Sequence, residues 1–121
     1  MDLKTVREND KIIAIVQDDE ILIKDVPSAL DLMMTVYYET GADGIVVHKS
    51  AICEDFFDLK TRLAGEILQK FVNYHLKLAI VGDFSCYTSK SLQDFIYESN
   101  KGRTIFFLAD ERQAIERLAE A

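Results

Sequence analysis

The chain has 121 residues, 49% of them hydrophobic and 29% charged, with a net charge of −7. Its length fits one domain, for which ~100–150 residues is common, and such a chain buries roughly two-thirds of its unfolded surface without disulfides or metals. The acidic balance argues against nucleic acid, whose phosphates need Lys and Arg to neutralise them, and against an anionic membrane surface.

In chain order, Ile12-Ile13-Ala14-Ile15-Val16 is the first predicted strand and Ile21-Leu22-Ile23 the second. The polar Asp18-Asp19 between them predicts a hairpin. A helix follows, with Val26, Leu30, Met33, Met34 and Tyr37 on one face. Asp25 is its N-cap, Pro27 sits in its first turn and Gly41 closes it. Ile45-Val46-Val47 is the third strand. The second helix carries Leu63, Ile67, Phe71 and Tyr74 on one face, with Ala64 and Leu68 beside them.

Leu78-Ala79-Ile80-Val81 is the fourth strand. A third helix starts at Ser89 or Ser91, buries Leu92, Phe95 and Ile96, and stops at Gly102. Ile105-Phe106-Phe107-Leu108 is the fifth strand, and a last helix carries Ala114, Ile115 and Leu118. The later strands are continuous apolar runs, as expected when helices cover a sheet on both faces. The order ββαβαβαβα predicts a single α/β domain over residues 1–121. Its sheet should be open, five-stranded and mostly parallel, with only the first strand antiparallel.

The charge is uneven: residues 1–58 hold thirteen acids against five bases, and residues 59–121 hold eight against nine. An acidic surface facing a basic partner is one reading, and a solvated face is the other. Cys53 and Cys86 form no CxxC and no zinc spacing. No apolar stretch reaches the ~20 residues of a membrane span, and no signal-peptide core is visible, so a reduced, cytoplasmic setting is expected.

Ligands in open α/β sheets favour the carboxyl ends of the strands. That rule selects residues 48–58 and 82–89, which bring His48, Asp58, Asp83 and both cysteines into play. Asp58 and Asp83 could act as acid and base or bind a cation, or could simply cap a helix and close a turn. Gly82 stands alone, so no phosphate cradle is predicted. His48 and His75 lie in different elements with no nucleophile coupled to them. No basic neighbour is evident for either thiol. Phe56 and Phe57 are adjacent in a loop, where one of them should face solvent and a partner.

Two stretches carry a family resemblance. One covers residues 56–71 and opens Phe56-Phe57-Asp58-Leu59-Lys60-Thr61-Arg62-Leu63-Ala64-Gly65. The other opens Leu78-Ala79-Ile80-Val81-Gly82-Asp83-Phe84 and runs on through Ser89-Lys90-Ser91-Leu92 to Asn100. Over nearly the whole chain they resemble an uncharacterised bacterial family, the domain of unknown function numbered forty-one-eighty. The element order is also similar to the STAS domain, whose antagonists bind a protein partner and are switched by phosphate on a Ser or Thr at the start of the second helix. Leu59 and Lys60 stand where those antagonists place their serines and glycine, and Thr61 is the nearest hydroxyl.

The resulting expectation is a STAS-like, non-catalytic interaction or regulatory module without a cofactor, acting as monomer or homodimer. An unidentified protein partner would bind at Phe56, Phe57, Asp58, Lys60, Thr61 and Asp83. The alternative is a small enzyme or ligand-binding domain that uses Asp58 and Asp83 with His48 or Lys60.

Overall fold

The computed structural model describes all residues, 1–121. Its first strand, β1 (Asp2–Glu8), is antiparallel to β2 (Lys11–Gln17), in register from Asp2 opposite Gln17 to Glu8 opposite Lys11. Asn9 and Asp10 turn the chain at φ 53° and 63°, a left-handed pair that short polar side chains tolerate and that suits the twist of a hairpin.

The predicted hairpin is therefore displaced by one strand. Ile12-Ile13-Ala14-Ile15-Val16 is its second strand, and its partner lies upstream. β1 carries little strand signal because it sits at the sheet edge and offers only Leu3 and Val6 as apolar residues, both half-buried. Ile21-Leu22-Ile23 is not a strand of the sheet. The N–H groups of Leu22 and Ile23 donate to Ala51 O at 2.8 and 3.0 Å, and Cys53 N–H donates to Ile23 O at 2.9 Å. This is one short tie between two loops.

Helix α1 (Val26–Thr40) begins with a reciprocal cap: Ser28 N–H donates to Asp25 Oδ1, and Asp25 N–H donates to Ser28 Oγ. Ser28, first through its backbone N–H and then through its side chain, holds the Asp25 carboxyl below the ordinary range. β3 (Gly44–His48) follows, then three short 3-10 turns, then α2 (Leu63–Asn73). The remaining elements are β4 (Lys77–Val81), α3 (Lys90–Lys101), β5 (Ile105–Leu108) and α4 (Glu111–Glu120). Ser89 caps α3 and Asp110 caps α4. No helix is long and apolar enough to cross a membrane.

The strands lie side by side in sequence order, β1 to β5. The sheet is mixed rather than mostly parallel: β1 is antiparallel to its neighbour, while β2, β3, β4 and β5 pair in parallel. Because every crossover steps in the same direction, crossovers of one hand leave α1, α2 and α3 on the same face.

Burial follows that division. Ala14, Val16, Ile45, Val47, Ile80 and Phe107 face the three helices and form the larger core with them. Ile13, Ile15, Val46, Ala79, Val81 and Phe106 face the other way, onto Ala114, Leu118 and Ala119 of α4. One ten-residue helix thus covers the second face. Gly44 leaves room for that helix, since a Cβ there would lie 3.2 Å from Leu118 Cδ1.

Candidate functional site

A crevice opens in an α/β sheet where the strand order reverses. Here the order never reverses, and the carboxyl ends of β3 and β4 are covered by their own loops. Gly82 follows β4 and lets the Lys49 side chain pass over it, because a Cβ at Gly82 would lie 2.7 Å from Lys49 Cβ. Lys49 Nζ then donates to Asp83 O at 3.2 Å, approaches Cys86 Sγ at 3.3 Å and stands 4.6 Å from the centre of the Tyr87 ring. Partial burial works against its charge, but Cys86 and Tyr87 outweigh that and hold its pKa above the ordinary lysine value.

The Tyr87 hydroxyl donates to the Glu54 carboxylate at 3.0 Å. Burial, and then that carboxylate, raise its pKa. Phe57 stacks on Tyr87 at 5.1 Å between centroids and also meets Phe56 and Phe84. These side chains fill the region where a ligand was expected.

The expected site residues divide in an informative way. Phe56 and Phe57 are both buried, 1% and 4% exposed, so neither faces solvent as anticipated. A 3-10 turn over Glu54–Phe57 gives the two rings separate inward directions. Asp58 accepts from Lys60 N–H at 3.1 Å and so caps the next 3-10 turn. Lys60 stays exposed. The Thr61 hydroxyl donates to Asp55 O and Asp58 O, both at 2.8 Å, and accepts from Leu63 N–H. Asp83 accepts from the Ser85 hydroxyl at 2.6 Å and the Ser85 N–H at 2.9 Å; these bonds, the hydroxyl's first, lower its pKa. Each aspartate therefore serves its own turn.

His48 pairs with Glu111 of α4, 2.6 Å from Nε2 to Oε2, and ties the start of that helix to β3. The cysteines have different surroundings: Cys53 Sγ points to Lys24 O, and Cys86 Sγ to Lys49. The expectation that neither thiol has a basic neighbour fails for Cys86. Lys49 is far from it in sequence, and only the pairing of β3 with β4 brings the two loops together.

The opposite end of the sheet is open. Helix α1 stops at Gly41, φ 65°, with Gly41 N–H donating to Tyr37 O. Helix α2 stops in a Schellman turn: Leu76 N–H donates to Phe71 O and His75 N–H to Val72 O. His75 supplies the left-handed residue at φ 57°, a position that glycine usually takes. Between the two helix ends lies a cavity of about 530 Å³. Met33, Met34, Tyr37 and Tyr38 line it from α1, Tyr74 and His75 from the end of α2, and Asp43 from the loop before β3. Tyr37, Tyr38 and Tyr74 are 56%, 81% and 56% exposed.

The family model described as Domain of unknown function (DUF4180) matches residues 8–118. The chain belongs to that family. No curated protein and no solved structure matches it.

For this DUF4180 chain, sequence reasoning missed the groove at the amino ends of the strands. Helical spacing puts Tyr37 and Tyr74 on apolar helix faces, where a tyrosine usually packs inward. Tyr74 is instead the residue at which α2 ends, and it turns outward. One signal was available: Tyr38 is turned about 100° from Tyr37 around the helix and falls outside the stripe of Val26, Leu30, Met33, Met34 and Tyr37.

Proposed function

We propose that this DUF4180 domain is a non-catalytic, cytoplasmic interaction module that holds a protein partner in the groove between the ends of α1 and α2. The observation that carries this reading is the group of three exposed tyrosines around a methionine-lined cavity. Tyrosine supplies large contact area at small entropic cost and is enriched where partners bind, and methionine adapts to what it meets. Likeness to STAS antagonists in the opening hairpin and the alternation of helices and strands supports a partner-binding role by analogy alone. The docking place moves from Phe57 and Thr61 to Tyr38 and Tyr74, because the former are packed or hydrogen-bonded within the fold.

Site-specific photo-crosslinking tests the reading. A benzophenone side chain at position 38 or 74 should give discrete adducts in cells, whereas one at position 97 should not. Tyr97 is an equally exposed tyrosine, on α3 and away from the groove. Adducts that form alike from all three positions, or from none, would remove the proposal.

A second reading, chemistry at the carboxyl end, rests on the contact between Lys49 and Cys86. Cys86 is the exposed thiol of the two, and its sulfur lies 3.3 Å from the Lys49 ammonium, within reach of any charge that forms on it during reaction. Cys86 should then react with iodoacetamide faster than Cys53, and Lys49→Met should remove most of the difference. Equal rates for the two thiols count against any activated cysteine.

A further inference from the structure

If the groove is the docking surface, its electrostatics specify what it takes, and we infer that it receives an arginine side chain from a basic segment of the partner. Three independent features of the groove favour a cation.

The first is aromatic. Tyr37, Tyr38 and Tyr74 carry negative ring faces, and the Tyr37 and Tyr38 rings meet edge to face, 5.9 Å apart and 74° between planes. A guanidinium within ~6 Å of such a face is attracted to it, and its flat shape stacks where an ammonium cannot.

The second is the backbone. Gly41 and His75 both line the cavity, and each is the residue just beyond a helix. Two helices therefore turn their carboxyl ends, with the last unpaired carbonyls, toward the same space. Both dipoles are negative there and attract a positive charge.

The third is Asp43, an exposed residue in the lining of the groove. Its Oδ2 accepts from Ile12 N–H at 2.8 Å, which fixes the carboxylate in place and leaves Oδ1 for an incoming donor. Glu39, exposed in the last turn of α1, adds to the negative field, as does the excess of acids in residues 1–58.

Lys77 feels the charge of Asp43, but its side chain leaves the strand on the other side of the sheet. Lys77 is the register partner of Gly44, whose open side faces Leu118 of α4. Alternation along the strands therefore points Lys77 to the α4 face, while Met33, Ala42 and Leu76 belong to the core on the opposite face. Burial, and then Lys11, lower its pKa, and Asp43 works against them.

The test uses two short peptides, acetylated and amidated, with glycines on either side of a central arginine or of citrulline, its neutral isostere. Amide shifts of the ¹⁵N-labelled protein report where each binds. The arginine peptide should move the amides of Gly41, Ala42, Asp43 and Leu76, and should bind at least about five-fold more tightly than the citrulline peptide. Asp43→Asn keeps an acceptor for Ile12 N–H and should weaken only the arginine peptide; Tyr74→Leu, on the surface, should do the same. Equal binding of the two peptides, shifts confined to the acidic loop at Asp18 and Asp19, or no shift with either peptide overturns the cation assignment. The crosslinking result at positions 38 and 74 stands apart from this outcome, so a groove that docks a neutral partner is distinguished from a groove that docks nothing.

Discussion

The two ends of the sheet are built from the same strands and helices, yet they differ: the carboxyl ends of β3 and β4 are packed over by aromatic rings, with a polar hollow beside Asp18 and His48, while the amino end is open and lined by tyrosines. At the carboxyl ends the connections are long, residues 49–62 after β3 and 82–89 after β4. They fold back over the strands and insert Phe56, Phe57, Phe84 and Tyr87. At the amino ends each helix-to-strand connection has three residues, 41–43, 74–76 and 102–104. Three residues suffice to reverse the chain but cannot cover what lies beneath, so side chains on the last helical turns remain at the surface. Loop length, more than loop composition, decided which end is available to a partner.

The largest effect that would sharpen this contrast is at the packed end. Phe57→Ala should cost about 3–5 kcal/mol, because a buried aromatic touching three other rings leaves a cavity behind. Urea unfolding measures it, and a loss near zero would mean that the carboxyl-end cluster is not core.

A smaller effect, of opposite sign, lies at the open end. His75→Gly should raise stability by about 1 kcal/mol, since glycine adopts the left-handed position at φ 57° without the Cβ penalty, less the entropy that glycine adds to the unfolded chain. A fall in melting temperature would show that the imidazole makes contacts worth more than the backbone relief.

The smallest effect is Tyr38→Ala, expected within about 0.5 kcal/mol of the parent because its ring is mostly in solvent. A large loss of stability there would erase the distinction between the two ends.

Much of the architecture was legible. The continuous apolar runs at β3, β4 and β5 marked strands covered on both faces, and Asp25, Gly41 and Ser89 marked helix boundaries through their capping chemistry. Asp83 closes a turn as its place after a strand suggests, whereas Asp58 caps a 3-10 turn and not α2, which starts from Arg62 without a side-chain cap. The first strand was not legible, because an edge strand half in water needs few apolar residues. The direction of the vicinal phenylalanines was not legible either, since a 3-10 turn separates adjacent side chains in a way that neither strand nor helix spacing would suggest.

The sequence by itself determined what local chemistry can determine: the α/β class, the alternation of elements, most boundaries and the membership in the DUF4180 family. Periodicity and capping act over a few residues and can be read along the chain. The tertiary structure alone decided the rest. Sequential strand order removed the crevice, the pairing of β3 with β4 set Lys49 beside Cys86, and two helix ends from distant parts of the chain met to form the tyrosine groove. Those are meetings of residues far apart in sequence, fixed by how the sheet assembles.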